Sequence, residues 1–181
     1  YDTAVRLGFC VVRSKINRGG GAALRLGYDI ARKTKASIIV TMDADGQHDP
    51  SEIEKLVSPI KEGGIDFVIG SRVLGEREKD SSIRIIGVHF FNFVINTLLK
   101  TKISDCSSGF RAFRKELLES VTLSEDQYHT SELIIDAVKN GAKIKEVPIT
   151  IYKRNLGKSK KGKNLIYGFN FAKTIIKTWW R

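Results

Sequence analysis

Apolar residues recur along the chain with two different spacings, and the spacing of each stretch predicts its secondary structure. Short apolar runs, which are typical of buried strands, occur at residues 9–12, 37–42, 66–70, 110–113 and 145–152. Apolar residues three or four positions apart predict helices over residues 22–33, 49–62, 83–100, 133–139 and 165–181. The second helix should start at Asp49-Pro50, because proline fits the first helical turn and acidic side chains favour the positive end of the helix dipole.

The order of these elements predicts the fold class. Strands alternate with helices, and such strand–helix–strand units form parallel sheets with right-handed crossovers. The run at 37–42 is apolar throughout, as in a strand that is covered on both faces. We therefore expect an α/β fold in which a mainly parallel sheet is flanked by helices, with no internal repeat.

Composition limits the class of protein without changing this picture. The chain has 181 residues, of which 41% are hydrophobic and 28% charged, and this is the composition of a globular domain. Its two cysteines, Cys10 and Cys106, are far apart in sequence and form no metal-binding pair. They predict no disulfide framework, and a reducing compartment is the default expectation.

The net charge of +11 is concentrated at the C-terminal end. Residues 147–181 contain nine Lys and Arg and no Asp or Glu, whereas the first 146 residues contain 22 basic and 20 acidic residues. This distribution suits an anionic partner such as a phosphate, an anionic lipid or a nucleic acid, although a solvated basic face is the simpler alternative.

Two apolar helices raise the question of membrane contact. No stretch is apolar over the length that spans a bilayer. The predicted helix at 83–100 suits either a buried position or a membrane surface. The helix at 165–181 combines apolar residues, Trp179-Trp180 and the basic residues Lys173, Lys177 and Arg181. That pattern is typical of a helix at a lipid–water interface, but packing on the domain's own core has nearly equal weight.

The residues that follow the strand at 37–42 carry candidate chemistry. Asp43 and Asp45 come directly after this strand, with Gln47 and His48 beyond them. In open α/β sheets, ligands bind at the carboxyl ends of the strands. Carboxylate and amide oxygens suit Mg²⁺ or Mn²⁺, which can bridge diphosphate oxygens. An isolated Asp-x-Asp is weak evidence, and a solvated acidic turn is the alternative.

Six blocks of sequence surround this motif in a fixed order. They are 17–24, 42–50, 66–72, 105 with 108–112, 146–149, and 154 with 157–160. Together the blocks resemble glycosyltransferase family 2, most closely its branch similar to dolichol-phosphate mannose synthase. The resemblance implies a GT-A-like, Rossmann-related fold and a metal-dependent hexosyltransferase.

The resemblance also implies roles for individual residues. The metal ligands would be Asp43, Asp45 and Gln47. The donor diphosphate would contact Asn17, Gly19, Gly21, Asp43 and Asp45. The acceptor phosphate would contact Arg72, Arg84, Arg154, Ser159 and Lys160, and the residues expected to carry catalysis are Asp45, Arg72 and Arg154. Arginine and lysine do suit phosphate oxygens, but surface ion pairs or a basic linker would also explain these positions. Glu132 matches an acidic family position, where a structural ion pair or a helix cap is an equal alternative.

The implied reaction is inverting transfer of a hexose from a nucleotide-diphosphate sugar, of the GDP-mannose or UDP-glucose type, to a polyprenyl (dolichyl) phosphate. Because that acceptor is already an anion, positioning and charge stabilisation would carry most of the catalysis. The enzyme would be cytoplasmic and held peripherally on an anionic membrane surface. Transfer to a polysaccharide or another glycan acceptor is the alternative enzyme function. A non-catalytic remnant or nucleic-acid-binding module is less favoured, because carboxylates at the strand end would repel a phosphate backbone.

The chain also departs from the family pattern. It has no counterpart of the family's N-terminal strand or of its Asp-Asp-Gly-Ser-type segment, so we expect a fragment that comprises an incomplete catalytic domain at 1–164 and an amphipathic helix at 165–181. If the chain stands alone, the missing strand would expose a sheet edge and favour a homo-oligomer. Gly20 stands where the family usually has lysine, and Gly87-Val88 where it often has serine, which puts donor and acceptor contacts there in doubt.

Overall fold

A computed structural model describes residues 2–75, 82–153 and 164–181, without the side chains of residues 82–88 and 164–167. Its helices are α1 (Asp2–Arg6), α2 (Gly20–Arg32), α3 (Ile53–Lys61), α4 (Ser82–Leu99), α5 (Leu117–Ser120), α6 (His129–Lys139) and α7 (Asn164–Trp180). Its strands are β1 (Ile38–Thr41), β2 (Phe67–Ser71), β3 (Arg111–Arg114) and β4 (Ile144–Pro148). The five predicted helices are confirmed by α2, α3, α4, α6 and α7, and four of the five predicted strands are confirmed by β1–β4.

The strand predicted at residues 9–12 is wrong. No strand forms there, and the side chains of Phe9 and Val12 are 66% and 46% exposed. A short apolar run becomes a strand only where a neighbouring strand accepts its backbone hydrogen bonds, and no described strand pairs with this segment.

The four strands form one mixed sheet in the order β1-β3-β2-β4. β2 and β4 are parallel, whereas β3 lies between β1 and β2 and is antiparallel to both. The α/β class and the flanking helices are therefore confirmed, and the expected mainly parallel sheet is corrected to a mixed one. The reason is the path of the chain: residues 104–109 already lie at the carboxyl ends of β1 and β2, where Gly109 approaches Asp43 and Ser107 contacts Arg72. A strand that starts there must run in the opposite direction.

Apolar side chains cover both faces of the sheet. On β2, Phe67 and Ile69 join the larger core with α2, α4, α6 and α7, and Val68 points to a smaller core beneath α3. All three β2 side chains are fully buried. Burial of side chains of this size stabilises the fold by roughly 1.5–3 kcal/mol each. The polar residues that follow the strands are thereby fixed on a rigid edge.

Helix α7 packs on the larger core with one face and exposes the other. Phe171 and Ile175 are buried, whereas Phe169, Ile176 and Trp180 are 73%, 56% and 83% exposed. The sequence left core packing and an interfacial position open, and core packing is confirmed for one face of the helix. Within the described ranges, no helix is long and apolar enough to cross a bilayer.

Candidate active site

The Asp43-Ala44-Asp45 motif lies at the carboxyl end of β1, as the sequence predicts. Asp43 is exposed, and Oδ1 of Asp45 accepts a hydrogen bond from the backbone N–H of Gln47 at 3.2 Å. A Cβ atom on Gly109 would lie 3.2 Å from Oδ2 of Asp43. Because residue 109 has no side chain, the Asp43 carboxylate has room beside the loop that precedes β3.

The loop that follows the motif is tied to the segment after β4. The backbone N–H of Tyr152 donates to the carbonyl of Gln47 at 2.9 Å, and Nε2 of Gln47 donates to the carbonyl of Tyr152 at 3.1 Å. At the start of the next helix, Oδ1 of Asp49 accepts from the N–H of Ser51 at 2.9 Å, with Pro50 in the first turn. This turn is a short 3₁₀ helix, Pro50–Glu52, that leads into α3 at Ile53, so the helix start predicted at Asp49-Pro50 is confirmed as a 3₁₀ start.

Arg72 lies at the end of β2 and is held by a buried carboxylate. Its Nε and Nη2 donate to Asp105 at 2.7 and 2.6 Å, and Nη2 also donates to Oγ of Ser107 at 2.5 Å. Asp105 is fully buried. Burial alone would raise the pKa of Asp105, but the hydrogen bonds and charge of Arg72 outweigh it and hold that pKa below its ordinary value. One edge of the guanidinium is thus already used by a carboxylate.

The backbone around Asp105 is held by residues to which sequence reasoning gave no role. The carboxylate of Glu146 accepts from the backbone N–H groups of Ser104 and Asp105 at 2.8 and 2.9 Å. Asn92 and Asn96 of α4 hydrogen-bond the backbone of residues 103–106. The signal was present in the sequence, because two asparagines lie in a largely apolar helix and a buried amide must find hydrogen-bond partners.

The loop before β3 brings the motif and Arg72 together, because its Ser107 contacts Arg72 and its Gly109 lies against Asp43, and His48 lies in the same region. Burial lowers the pKa of His48, the charges of Asp43 and Asp45 act in the opposite direction, and the charge of Arg72 adds to the lowering. The imidazole ring of His48 also packs on the ring of Phe110, with 5.0 Å between centroids. The carboxyl ends of β1 and β2 and the loop before β3 therefore converge.

The glycine turn before α2 has a packing explanation of its own. Gly19 has a φ of 110°, and Oδ1 of Asn17 accepts from its N–H at 3.2 Å. The N–H of Gly21 donates to the carbonyl of Asp126 at 2.9 Å, and a Cβ on Gly21 would lie only 2.2 Å from the carbonyl oxygen of Glu125. The turn needs its glycines in order to lie against residues 125–126. Contact of Asn17, Gly19 and Gly21 with a donor diphosphate stays a prediction.

Two further residues at positions that match the family, Arg111 and Glu132, are buried and hold neighbouring loops in place. Arg111 is 2% exposed and donates to the carbonyls of Cys106, Ser108 and Thr130, and burial lowers its pKa to about 10. Glu132 is fully buried and accepts from the N–H groups of Ser124 and Glu125 and from Arg181. Of the alternatives that the sequence left open for Glu132, the ion pair is the one observed.

The donor set suits a hard divalent cation. The described residues contain no group of three His, Cys, Asp or Glu side chains that could hold a metal by themselves. Asp43, Asp45 and Gln47 supply two carboxylates and one amide, and the Gly109 backbone leaves room beside the first. Mg²⁺ binds proteins in this manner, through one or two carboxylates together with substrate phosphates and water.

Four of the residues predicted to contact the acceptor phosphate are not described by the structure: Arg154, Ser159 and Lys160 lie outside the described residues, as does the side chain of Arg84.

Comparison with known sequences decides the family. Residues 3–122 match the model of glycosyl transferase family 2. The chain belongs to this family. It is 39% identical over 181 residues to the uncharacterized protein MJ1222 of Methanocaldococcus jannaschii, covering 97% of this chain and 74% of that protein. The family assignment confirms the resemblance seen in the sequence and places the chain among the glycosyltransferases.

Relatives with named activities use polyprenyl phosphates. A UDP-N-acetylglucosamine–dolichyl-phosphate N-acetylglucosaminyltransferase of Methanococcus voltae is 35% identical, covering 91% of this chain and 67% of that protein. The polyprenol monophosphomannose synthase of Mycolicibacterium smegmatis is 36% identical, covering 78% of this chain and 56% of that protein. The chain therefore spans roughly half to three quarters of these relatives.

Solved structures confirm the fold. Glucosyl-3-phosphoglycerate synthase from Mycobacterium tuberculosis superposes with a TM-score of 0.74 at 19% identity, covering 98% of this chain and 63% of that chain. Other structures of that enzyme hold Mn²⁺ with UDP and glucosyl-3-phosphoglycerate, or Mg²⁺ with UDP. The cations expected from the sequence are the ones that these complexes contain.

Proposed function

We propose that the chain forms part of a metal-dependent, inverting glycosyltransferase that moves a hexose from a nucleotide-diphosphate sugar to a polyprenyl phosphate such as dolichyl phosphate. The observation that carries the proposal is the convergence of the Asp43–Asp45 motif with Arg72 at one edge of the sheet, where the loop before β3 contacts Arg72 through Ser107 and lies against Asp43 at Gly109. This edge combines anionic ligands for a cation with a cationic group for a phosphate, which are the two requirements of the reaction.

Each residue of the edge has a distinct task in this proposal. Asp43, Asp45 and Gln47 would hold Mg²⁺ or Mn²⁺, which when bound offsets the negative charge of the diphosphate leaving group. Arg72 keeps its guanidinium in place through Asp105 and would orient the acceptor phosphate. Arg84, Arg154, Ser159 and Lys160 are proposed to add to the same phosphate site. Glu132 is buried in an ion pair and is therefore not proposed as a base.

Direct displacement at the anomeric carbon explains the proposed inversion. A lipid phosphate is an oxyanion near neutral pH, so it can attack without losing a proton to the protein. The protein's contribution is then the relative position of donor and acceptor, together with fixed charges.

The relatives support the acceptor and leave the donor open. Polyprenyl or dolichyl phosphate appears in the names of the Methanococcus voltae transferase, a dodecaprenyl-phosphate galacturonate synthase of Rhizobium johnstonii and an undecaprenyl-phosphate mannosyltransferase of Micrococcus luteus. Their sugars differ, so the donor cannot be assigned from likeness. GDP-mannose and UDP-glucose remain our first two donors to test.

A membrane surface fits the exposed faces of two helices that pack together. Phe90 and Phe93 of α4 are 57% and 69% exposed, and among the described side chains of α7 Phe169, Ile176 and Trp180 are exposed. Lys177 and Arg181 already pair with Glu125, Glu132 and Asp136, whereas Lys173 is exposed. We propose peripheral binding at the cytoplasmic face. Failure to sediment with vesicles of phosphatidylcholine and phosphatidylglycerol would contradict it.

Two finer proposals concern the ends of the chain and of the sheet. The division into a catalytic part at 1–164 and a membrane-facing helix at 165–181 is kept as a proposal, although α7 shares the core of the remainder. β1 is an outer strand of the described sheet, and pairing of two copies along it is the proposed route to a homo-oligomer. A monomeric mass in light scattering would contradict that route.

A transfer assay tests the proposal. The full-length protein is incubated with dolichyl phosphate, Mn²⁺ and radiolabelled GDP-mannose, UDP-glucose or UDP-N-acetylglucosamine, and label is counted in the organic extract. We expect labelled lipid with one donor, its loss with EDTA, and a decrease of about a hundredfold in Asp45→Asn. Asp29→Asn, on the exposed face of α2, serves as the matched control. Label in a polysaccharide fraction, or none with any donor, would refute the lipid acceptor.

A further inference from the structure

Residues 149–152, here called the crossing segment, pass between the two halves of the candidate site. On one side, the N–H of Ile149 donates to the carbonyl of Ser71 at 3.2 Å, and a Cβ on Gly75 would lie 2.1 Å from the carbonyl oxygen of Ile149. This contact fixes the crossing segment against the turn that contains Arg72. The segment is therefore anchored to the end of β2.

The opposite side of the crossing segment holds the loop of residues 43–49, here called the metal loop. His48 and Ile151 form an antiparallel bridge, and Gln47 and Tyr152 exchange hydrogen bonds through the backbone and the Gln47 side chain. Because Nε2 of Gln47 donates to the carbonyl of Tyr152, the amide nitrogen faces Tyr152 and the amide oxygen faces away from it. The crossing segment thereby orients the proposed amide ligand of the cation.

The crossing segment is held by the buried carboxylate of Glu52, which has no role in the proposed reaction. Glu52 is 5% exposed and accepts from the N–H of Thr150 at 2.9 Å and from Oγ1 of Thr150 at 3.2 Å. Lys55, which is largely exposed, donates to the same carboxylate at 2.8 Å. A helix-capping role does not explain this arrangement, because the Glu52 side chain makes no capping hydrogen bond to α3.

We propose that Glu52 is a positioning residue for the metal loop. By holding Thr150 it sets the crossing segment, and the crossing segment sets the Gln47 amide for the cation. Partners that orient metal ligands from outside typically change metal affinity by about 10–100-fold when they are removed. The proposal rests on the metal site of the proposed function.

Binding of Mn²⁺ alone, measured on the complete chain by electron paramagnetic resonance, tests this role apart from activity. Glu52→Ala should weaken Mn²⁺ binding by about tenfold. Glu52→Gln should restore most of the affinity, because its amide can accept from the N–H of Thr150 and donate to Oγ1. Glu54→Ala, at an exposed position of α3, should bind as the wild type does.

A second variant keeps the test decisive if Glu52→Ala does not fold. Thr150→Val removes only the hydroxyl partner and should weaken Mn²⁺ binding by about fivefold, as expected for one lost hydrogen bond. A purely structural role of Glu52 would lower the unfolding temperature and leave the Mn²⁺ affinity of the folded variants unchanged, which would overturn the inference. Absence of Mn²⁺ binding by the wild type, alone and with UDP, would instead refute the proposed function.

Discussion

At the scale of single residues, the candidate site depends on close approaches that a sequence does not display. Asp43 and Gly109 are 66 positions apart, yet a Cβ on Gly109 would come within 3.2 Å of Oδ2 and 3.4 Å of Oδ1 of the Asp43 carboxylate. The motif at residues 43–45 could be predicted because it follows an apolar run. The reason for a glycine at 109 could not, since it arises only when β3 lies against β1.

Gly109→Ala should therefore impair cation binding without unfolding the protein. The added methyl group must push the Asp43 carboxylate aside by a few tenths of an ångström, and we expect Mn²⁺ to bind about tenfold more weakly, as for other changes that misplace a ligand. Isothermal titration calorimetry measures the affinity. Gly27→Ala, where a Cβ would meet no atom within 4 Å, is the matched control. Equal affinity in the two variants would show that Gly109 leaves the ligand geometry untouched.

His129 is a second residue whose environment sets a measurable property. Burial lowers the pKa of His129 to about 4, and the charges of Arg111 and Arg25 act in the same direction. Its Nδ1 is buried and has no hydrogen-bond partner within the described residues. The folded protein thus keeps this imidazole neutral at pH values where the unfolded chain protonates it.

The free energy of unfolding should consequently decrease as the pH falls from 6.5 towards 4. In this window the unfolded state binds a proton that the folded state does not, and the linkage amounts to up to about 3 kcal/mol. Between pH 7 and 4.5, His129→Gln should lose about 2 kcal/mol less stability than the wild type in urea titrations. His89→Gln, at an exposed position, should follow the wild type. Parallel curves for all three proteins would contradict the neutral buried imidazole.

At the scale of elements, the spacing of apolar residues predicted which helices and strands form better than it predicted how the strands pair. Helices α2, α3, α4, α6 and α7 follow the spacing of their apolar residues, because each buries one face. The direction of β3 and the failure of the segment at 9–12 to pair depend on the path of the chain and on neighbouring strands. The apolar pattern also could not decide whether α7 faces the core or a membrane, since the helix has an apolar face on each side.

The two faces of α7 can be separated by mutation. Phe171 is 3% exposed and packs on Phe91 at 4.4 Å between ring centroids, so Phe171→Ala should lower the free energy of unfolding by about 3 kcal/mol. Phe169→Ala, at a residue that is 73% exposed, should change it by less than about 0.5 kcal/mol. Urea titration measures both. A large loss for Phe169→Ala would mean that the exposed face is not free in solution.

At the scale of the whole molecule, the site is assembled from segments that are distant in sequence. The ends of β1 and β2, the loop before β3 and the segment after β4 meet at one edge of the sheet. Sequence reasoning gave roles to the motif and Arg72 but none to Asp105, Glu146 or Glu52, which hold these parts together. Buried polar residues of this kind have no periodicity, and their partners appear only in the folded chain.

We propose that the metal loop holds, through Asp43, Asp45 and Gln47, the cation that binds the donor's diphosphate. Anomalous scattering from Mn²⁺, in crystals grown with Mn²⁺ and UDP, tests it most directly. We predict one dominant peak within about 2.3 Å of oxygen atoms of Asp43, Asp45 or Gln47, with the diphosphate of UDP on its other side. A dominant peak bound elsewhere, or UDP bound with no peak at this loop, would contradict the account.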